Sequence, residues 1–205
     1  MELIQNTPDI SAYLAACEAI DHGHPLVRST AATLAADAPD AYTYAKAAFA
    51  FVRDAIPHSA DTGDERSEMG VPPAEGWGRV TWRASDVLAQ RTGICHAKAH
   101  ALAALLRARG IPAALCYQKF DVVHGLVALR LPGAHRWARQ DPRGNKPGID
   151  AQFRLDREQL AFPVRAECNE LDYPVLFAEP HPVVLQCLRE AVDRPHLWQT
   201  LPTEL

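Results

Sequence analysis

The chain has 205 residues, 48% of them hydrophobic and 22% charged, with a formal net charge of −4; that length and apolar content suit one domain, residues 1–205, with a sizeable core. The balanced charge argues against a broad surface for nucleic acid or for an anionic membrane. No apolar run is long enough to span a bilayer, and Met1-Glu2-Leu3-Ile4-Gln5-Asn6, read as a native start, lacks the basic and apolar segments of a secretory signal, which predicts a cytoplasmic protein.

Asp9 or Ser11 can cap a segment rich in Ala and Leu that reads as helical through Ile20, and His22-Gly23-His24-Pro25 breaks it, with His22 and His24 assigned to the cap or turn. A second Ala-rich helix is predicted from about Leu26 to Ala36, ended by Asp37-Ala38-Pro39-Asp40, which also supplies a new cap. The third runs from about Ala41 to Ala55, with Tyr44, Ala48, Phe51 and Val52 on one core-facing stripe. Pro57 to Arg79 has no periodicity and is rich in Ser, Asp, Gly, Glu and Pro, which predicts a loop long enough to serve as a lid. Ser85 is placed as the cap of a short helix that stops near Arg91-Thr92-Gly93.

Ile94 to Arg109 is the strongest helical pattern. Leu102, Leu105 and Leu106 make an apolar stripe, Ala97 and Ala101 allow close approach of a neighbour, and Gly110 with Pro112 ends the helix. The period then shortens to that of strands over Ala113 to Phe120, Val123 to Leu131 and, beyond a Pro132-Gly133 turn, Arg136 to Gln140. A turn-rich loop from Asp141 to Gly148 and a helix from Val183 to Val192 follow. Helices, a long loop, a central helix and an antiparallel meander together read as an α+β fold.

The five cysteines, Cys17, Cys95, Cys116, Cys168 and Cys187, are widely spaced with no CxxC pair, so they read as free thiols with no zinc knuckle or dithiol motif. Cys95 differs in its place, the first turn of the strongest helix. Unpaired backbone N–H groups and the positive end of the helix dipole favour a thiolate there, and the same groups can hold an oxyanion. Gly93, just before it, leaves room for substrate. His124 sits inside an apolar strand, where an imidazole needs a partner, and Asp141 follows one strand later. Pairing of those strands through the Pro132-Gly133 turn permits the two to meet on one sheet face. The roles would be nucleophile for Cys95, base for His124 and orienting acid for Asp141.

Two stretches carry a resemblance. One is Ala84-Ser85-Asp86-Val87-Leu88 with Gly93-Ile94-Cys95-His96-Ala97-Lys98-Ala99 and Leu105-Leu106-Arg107-Ala108-Arg109-Gly110-Ile111-Pro112-Ala113; the other is His124 with Asp141-Pro142. Over about residues 40–150 the chain resembles the transglutaminase-like superfamily, in its short bacterial branch. The resemblance implies a papain-like core with the nucleophile at the N-terminus of a central helix packed on an antiparallel sheet, flanked here by N-terminal helices and a C-terminal extension. It matches Cys95, His124 and Asp141 to the catalytic positions, and it implies that upstream tryptophans, here Trp77 and Trp82, line the acyl site, with core or lid packing as the alternative for both. His124-Gly125-Leu126 departs from the family's frequent His-Ala-Trp, and no counterpart of the animal enzymes' calcium loops is visible, so neither cofactor nor metal is expected.

The function this predicts is hydrolysis of a peptide or side-chain amide of a peptide or protein substrate through a thioester. The alternatives are a transamidating acyltransferase, a silent peptide-binding module on the same fold, and a metal hydrolase using His96 and His100, which lie one helical turn apart but lack an evident third ligand. Otherwise one of those two histidines is assigned to packing near the site and the other to the surface. Lys98 is assigned to the helix surface, Arg143 and Asn145 to a turn, with a substrate carboxylate as the alternative for Arg143, and Cys116 to the core.

Overall fold

The computed structural model describes residues 1–61 and 80–205. In chain order these form β1 (Ile4–Gln5), a 3-10 turn (Ile10–Leu14), α1 (Pro25–Ala35), α2 (Ala41–Ala55), α3 (Ala84–Gln90), α4 (Cys95–Arg107), β2 (Ala113–Lys119), β3 (Val123–Leu129) and β4 (Ala138–Gln140). A second 3-10 turn (Ala166–Cys168), β5 (Leu171–Asp172), β6 (Val175–Leu176), α5 (Pro182–Glu190) and α6 (Arg194–Thr200) complete them. The α+β expectation holds: a four-stranded antiparallel sheet of order β4-β3-β2-β5 backs one side of α4, while α1, α2 and α3 cover the other sides. The lid assigned to Pro57–Arg79 lies outside the described residues over 62–79.

Local chemistry explains where the predicted helices begin. His24 Nδ1 accepts the Leu26 N–H ahead of Pro25, so α1 opens on a histidine cap with proline in its first turn. Asp40 Oδ1 accepts the Thr43 N–H at 2.7 Å and starts α2 at the predicted residue. The buried stripe of α2 is Tyr44, Ala45, Ala48, Phe49 and Val52; Phe51 lies beside it, half-buried, with the Arg91 guanidinium 4.9 Å from its ring centroid.

Two expectations need correction. The segment from Asp9 to Ile20 is not one helix but a single 3-10 turn, after which Ala15 is extended. Its carbonyls are taken by other elements: Ala15 O accepts from the Arg107 guanidinium at 2.6 Å, and Ala19 O accepts the Ala84 N–H at 2.9 Å. Ser85 does not cap α3. Arg83 holds the cap position, and the Ser85 N–H is accepted by Asp21, 64 residues earlier in the chain.

α4 is buried on every face, including His96, Lys98, His100 and Arg107. Burying such groups is tolerable only when they are bonded. Lys98 Nζ donates to the carbonyls of Ile56 and Arg53, His100 Nδ1 bonds the Trp82 carbonyl at 2.7 Å, and Arg107 donates to those of Ala15, Ala113 and Ala178. Both surface assignments on this helix are therefore corrected: neither Lys98 nor either histidine is exposed. The helix meets β3 at Gly125, where a Cβ would stand 2.8 Å from His96 Cδ2 and 3.1 Å from His96 Cα.

Candidate active site

Cys95 is the first residue of α4, following Ile94, which is extended and makes no side-chain cap bond. The thiol is 9% exposed and opens onto the surface groove. Burial alone would push it up, but the charges of His96 and His124 and hydrogen bonds from His124 and His58 outweigh burial, so the thiol lies well below its ordinary value. His96 Nδ1 is 3.5 Å from Sγ, while its Nε2 is buried without a hydrogen-bond partner among the described residues.

His124 is the second residue of β3, and Asp141 directly follows β4. The pairing of Val127 with Gln140 and Ala128 with Arg139, continued one step, sets Asp141 beside Leu126, on the sheet face that His124 also shares. His124 Nε2 lies 2.8 Å from Asp141 Oδ2, which leaves the other ring nitrogen, Nδ1, for the thiol. Asp141 is fully buried; its Oδ1 accepts the Arg143 N–H at 3.1 Å and its Oδ2 the Ala161 N–H at 3.0 Å. The edge of Phe162 packs on the His124 ring, with centroids 5.2 Å apart and planes at 80°. Burial pulls the imidazole down, but the charges of Asp141 and Cys95 and their hydrogen bonds carry it up to about 10. A thiolate beside an imidazolium is the state this geometry favours.

The structure thus brings together Cys95, His124 and Asp141. Of the other predicted site residues, Trp82 and Gly93 are among the described residues, and neither lines the groove. Trp82 is half-buried outside the groove lining and packs against the core, with the guanidiniums of Arg83 and Arg189 over its ring at 4.6 Å and 5.4 Å. Gly93 is also outside the groove lining: the space beside its Cα is filled by Ala97 and Thr81, with a Cβ there only 3.1 Å from Ala97 Cβ, so the missing side chain serves helix packing. Trp77 lies outside the described residues. Arg143 does more than shape a turn: buried beside the groove, it holds Asp61 with two guanidinium nitrogens, and Lys146 joins at 2.6 Å. Burial raises the Asp61 carboxyl, but these bonds hold it down at about 2. Asn145 ties its loop together by accepting the Ala151 N–H at 2.8 Å. Cys116 is fully buried, and burial pushes its thiol far above the ordinary value. His96 faces the thiol and His100 the Trp82 carbonyl; among the described residues no group of three or more His, Cys, Asp or Glu could hold a metal ion.

One residue beside Cys95 was not read from the sequence. His58 follows the end of α2 and is 7% exposed; its Nε2 lies 3.0 Å from the Cys95 backbone nitrogen. A backbone bridge between His58 and Gly93 brings it there, a pairing across 35 positions with no periodic signal.

The groove has a volume of about 790 Å³, with His58, Cys95, His96, His124 and Arg143 at its reactive end. Its remaining walls come from Phe120 to Val123, from Phe162, Pro163, Arg165, Cys168 and Glu170, and from Trp198 and Leu201. Among the described residues no helix is long and apolar enough to cross a membrane.

A family model described as the transglutaminase-like superfamily matches residues 28–142. No curated protein matches the chain. A solved structure from Cytophaga hutchinsonii, described as a "putative cysteine protease", superposes with a TM-score of 0.50 at 18% identity, over 67% of this chain and 43% of the other. The chain therefore spans less than half of that protein, and at this identity the likeness is one of fold.

Proposed function

The chain belongs to the transglutaminase-like superfamily, and from that premise we propose that it is a cysteine-dependent acyl-transfer enzyme hydrolysing a peptide or side-chain amide through a thioester on Cys95. The observation that carries the proposal is the bond between His124 Nε2 and Asp141 Oδ2 at 2.8 Å, with the other nitrogen of the same ring turned to a thiol at a helix N-terminus.

The Cys95 thiolate adds to the carbonyl carbon; a C–S bond forms and the π pair moves to oxygen. The His124 imidazolium gives its Nδ1 proton to the leaving amine as the C–N bond breaks, which leaves a thioester and a neutral imidazole. That imidazole takes a proton from water, whose oxygen attacks the thioester, and collapse returns the carboxylic acid, the thiolate and the imidazolium. Asp141 keeps the ring in one orientation and supports its charge throughout. Water is the abundant acceptor, which favours hydrolysis over transfer to an amine.

A thiolate alkylates readily and a thiol does not. Iodoacetamide should modify Cys95 rapidly at pH 6 in the native protein, Cys95→Ala should abolish that labelling with the fold intact, and His124→Gln should slow it at least tenfold. An acyl-enzyme trapped on Cys95 from a peptide-amide library, read by mass spectrometry, should be lost with Cys95→Ala. Ordinary thiol reactivity at pH 6 and no acyl-enzyme would leave a binding module on the same fold.

A further inference from the structure

The His96 ring is 1% exposed, and the two strands beneath it fix which way it turns. Tyr117 and Gly125 are directly paired across β2 and β3, so they share the sheet face that meets α4. The tyrosine ring lies 6.1 Å from the imidazole with planes at 36°. The glycine leaves a space that His96 Cδ2 fills, 2.8 Å from where a Cβ would stand. Cδ2 and Nδ1 flank the same ring carbon, so seating Cδ2 on Gly125 turns Nδ1 to the other side, where Cys95 Sγ lies 3.5 Å away. A flipped ring would set a carbon against the sulfur and a polar nitrogen against the glycine.

The proton on this ring can be placed by counting partners. Nε2 is buried with no hydrogen-bond partner among the described residues. A proton there would be an orphaned donor, and orphaned buried donors are rarer than bare acceptors. With its only proton on Nε2, the ring would also turn the Nδ1 lone pair on the sulfur. A neutral His96 therefore carries its proton on Nδ1. A charged ring carries one there as well, so the sulfur faces an N–H in either state.

We propose that His96 is a further catalytic residue, a fixed donor whose Nδ1–H holds the Cys95 sulfur whenever that sulfur is anionic, beside the bond from His124. The inference rests on the acyl-transfer reading above. His96 keeps its proton throughout: it donates to the resting thiolate, loses its acceptor when the C–S bond takes up the sulfur's electron pair, and regains it when the thioester collapses and the thiolate returns. The exchange of protons with amine and water stays with His124. The other titratable groups around the sulfur are His124 on β3, with Asp141 behind it, His58 after α2, and Tyr117 on β2. Burial keeps the Tyr117 phenol neutral, and it keeps His100, one turn further along α4, neutral as well.

The pH profile of iodoacetamide alkylation, followed by mass spectrometry of the Cys95 peptide, separates this role from mere packing. Its midpoint reports how readily the thiolate forms, and its plateau reports how well the formed thiolate attacks. His96→Leu should raise the midpoint by about one pH unit, the effect of one hydrogen bond to a charged acceptor. The plateau should not fall, and should rise by up to about threefold, because a more basic thiolate is the better nucleophile. His96→Asn, whose amide nitrogen stands where Nδ1 stood, should return the midpoint to within about 0.3 pH units of the native protein. An unchanged midpoint in His96→Leu, an equal shift in His96→Asn, or a lowered plateau would overturn the donor role while leaving Cys95 and His124 in place. If His96→Leu fails to fold, the native protein decides: ring nitrogen NMR shifts should place a proton on His96 Nδ1 and move when Cys95 is alkylated, and a proton on Nε2 alone would overturn the role. A native midpoint at the ordinary thiol value of about 8.5 would instead overturn the thiolate and the acyl-transfer reading, and this inference with them.

Discussion

Gly125 follows His124 in β3 and lies against the first turn of the helix that bears Cys95. Its hydrogen faces the His96 ring, and a methyl there would stand 2.8 Å from Cδ2, closer than carbon atoms approach without displacement. The departure from a His-Ala-Trp pattern thus has a steric cause in this chain: the room for an alanine methyl is already filled by His96. The next residue, Leu126, turns to the opposite face and packs with Tyr13, Cys116 and Leu176, so an aromatic at this position would have to enter that apolar cluster. Gly125→Ala should cost about 1–3 kcal/mol through overpacking, measured as a shift in the urea midpoint at constant slope. Because His96 lies against Sγ, it should also slow alkylation of Cys95 at pH 6. Unchanged stability and alkylation would mean that the helix and strand part freely at this point.

At the scale of elements, α4 shows what a sequence discloses and what it withholds. Its ends, its leucine stripe and the strands that follow are local patterns, and they were legible as such; so were Asp40 as a cap and the pairing that puts His124 and Asp141 on one sheet face. What periodicity could not disclose is that α4 is buried all round, since His96, Lys98 and His100 interrupt the apolar pattern, and Lys98 and His100 find partners only on distant segments. The same holds for His58, placed by a bridge to Gly93, and for β1, β5 and β6, each two residues long and defined only by partners far along the chain. The cost of this burial is measurable. Burial carries His100 down to about 4, against 6.5 when free, with the Trp82 carbonyl only partly offsetting it. Between those values the unfolded chain binds a proton that the folded protein refuses, so stability is full above pH 6.5 and falls as pH drops toward 4, by about 3 kcal/mol from this residue. His100→Gln should flatten denaturation midpoints across that window; an unaltered slope would show that other groups set it.

The groove is a property of the whole chain rather than of the segment that carries the family pattern. That segment ends at residue 142, yet Phe162 and Pro163 come from the loop beyond Asp141, and Trp198 and Leu201 from α6 and the residue after it. The chain end is tied to the site by the sheet itself, since the Val123 N–H, next to His124, donates to Pro202 O at 2.7 Å. The charges in this part of the groove are internally matched, with the Arg165 guanidinium bonded to both oxygens of Glu170. What remains for a substrate is mainly aromatic and aliphatic surface, and such a wall selects by burial of apolar area. Acyl groups with an apolar chain next to the reacting carbonyl should therefore be preferred. Trp198, 40% exposed at the groove wall, has surface left to cover. Trp198→Ala should lower kcat/KM for p-nitrophenyl hexanoate about tenfold, equivalent to about 1.4 kcal/mol of lost burial, and leave that for the acetate nearly unchanged. An equal loss on both esters would point to distortion at Cys95 rather than to recognition along the groove, and a loss on neither would place the acyl chain against another wall.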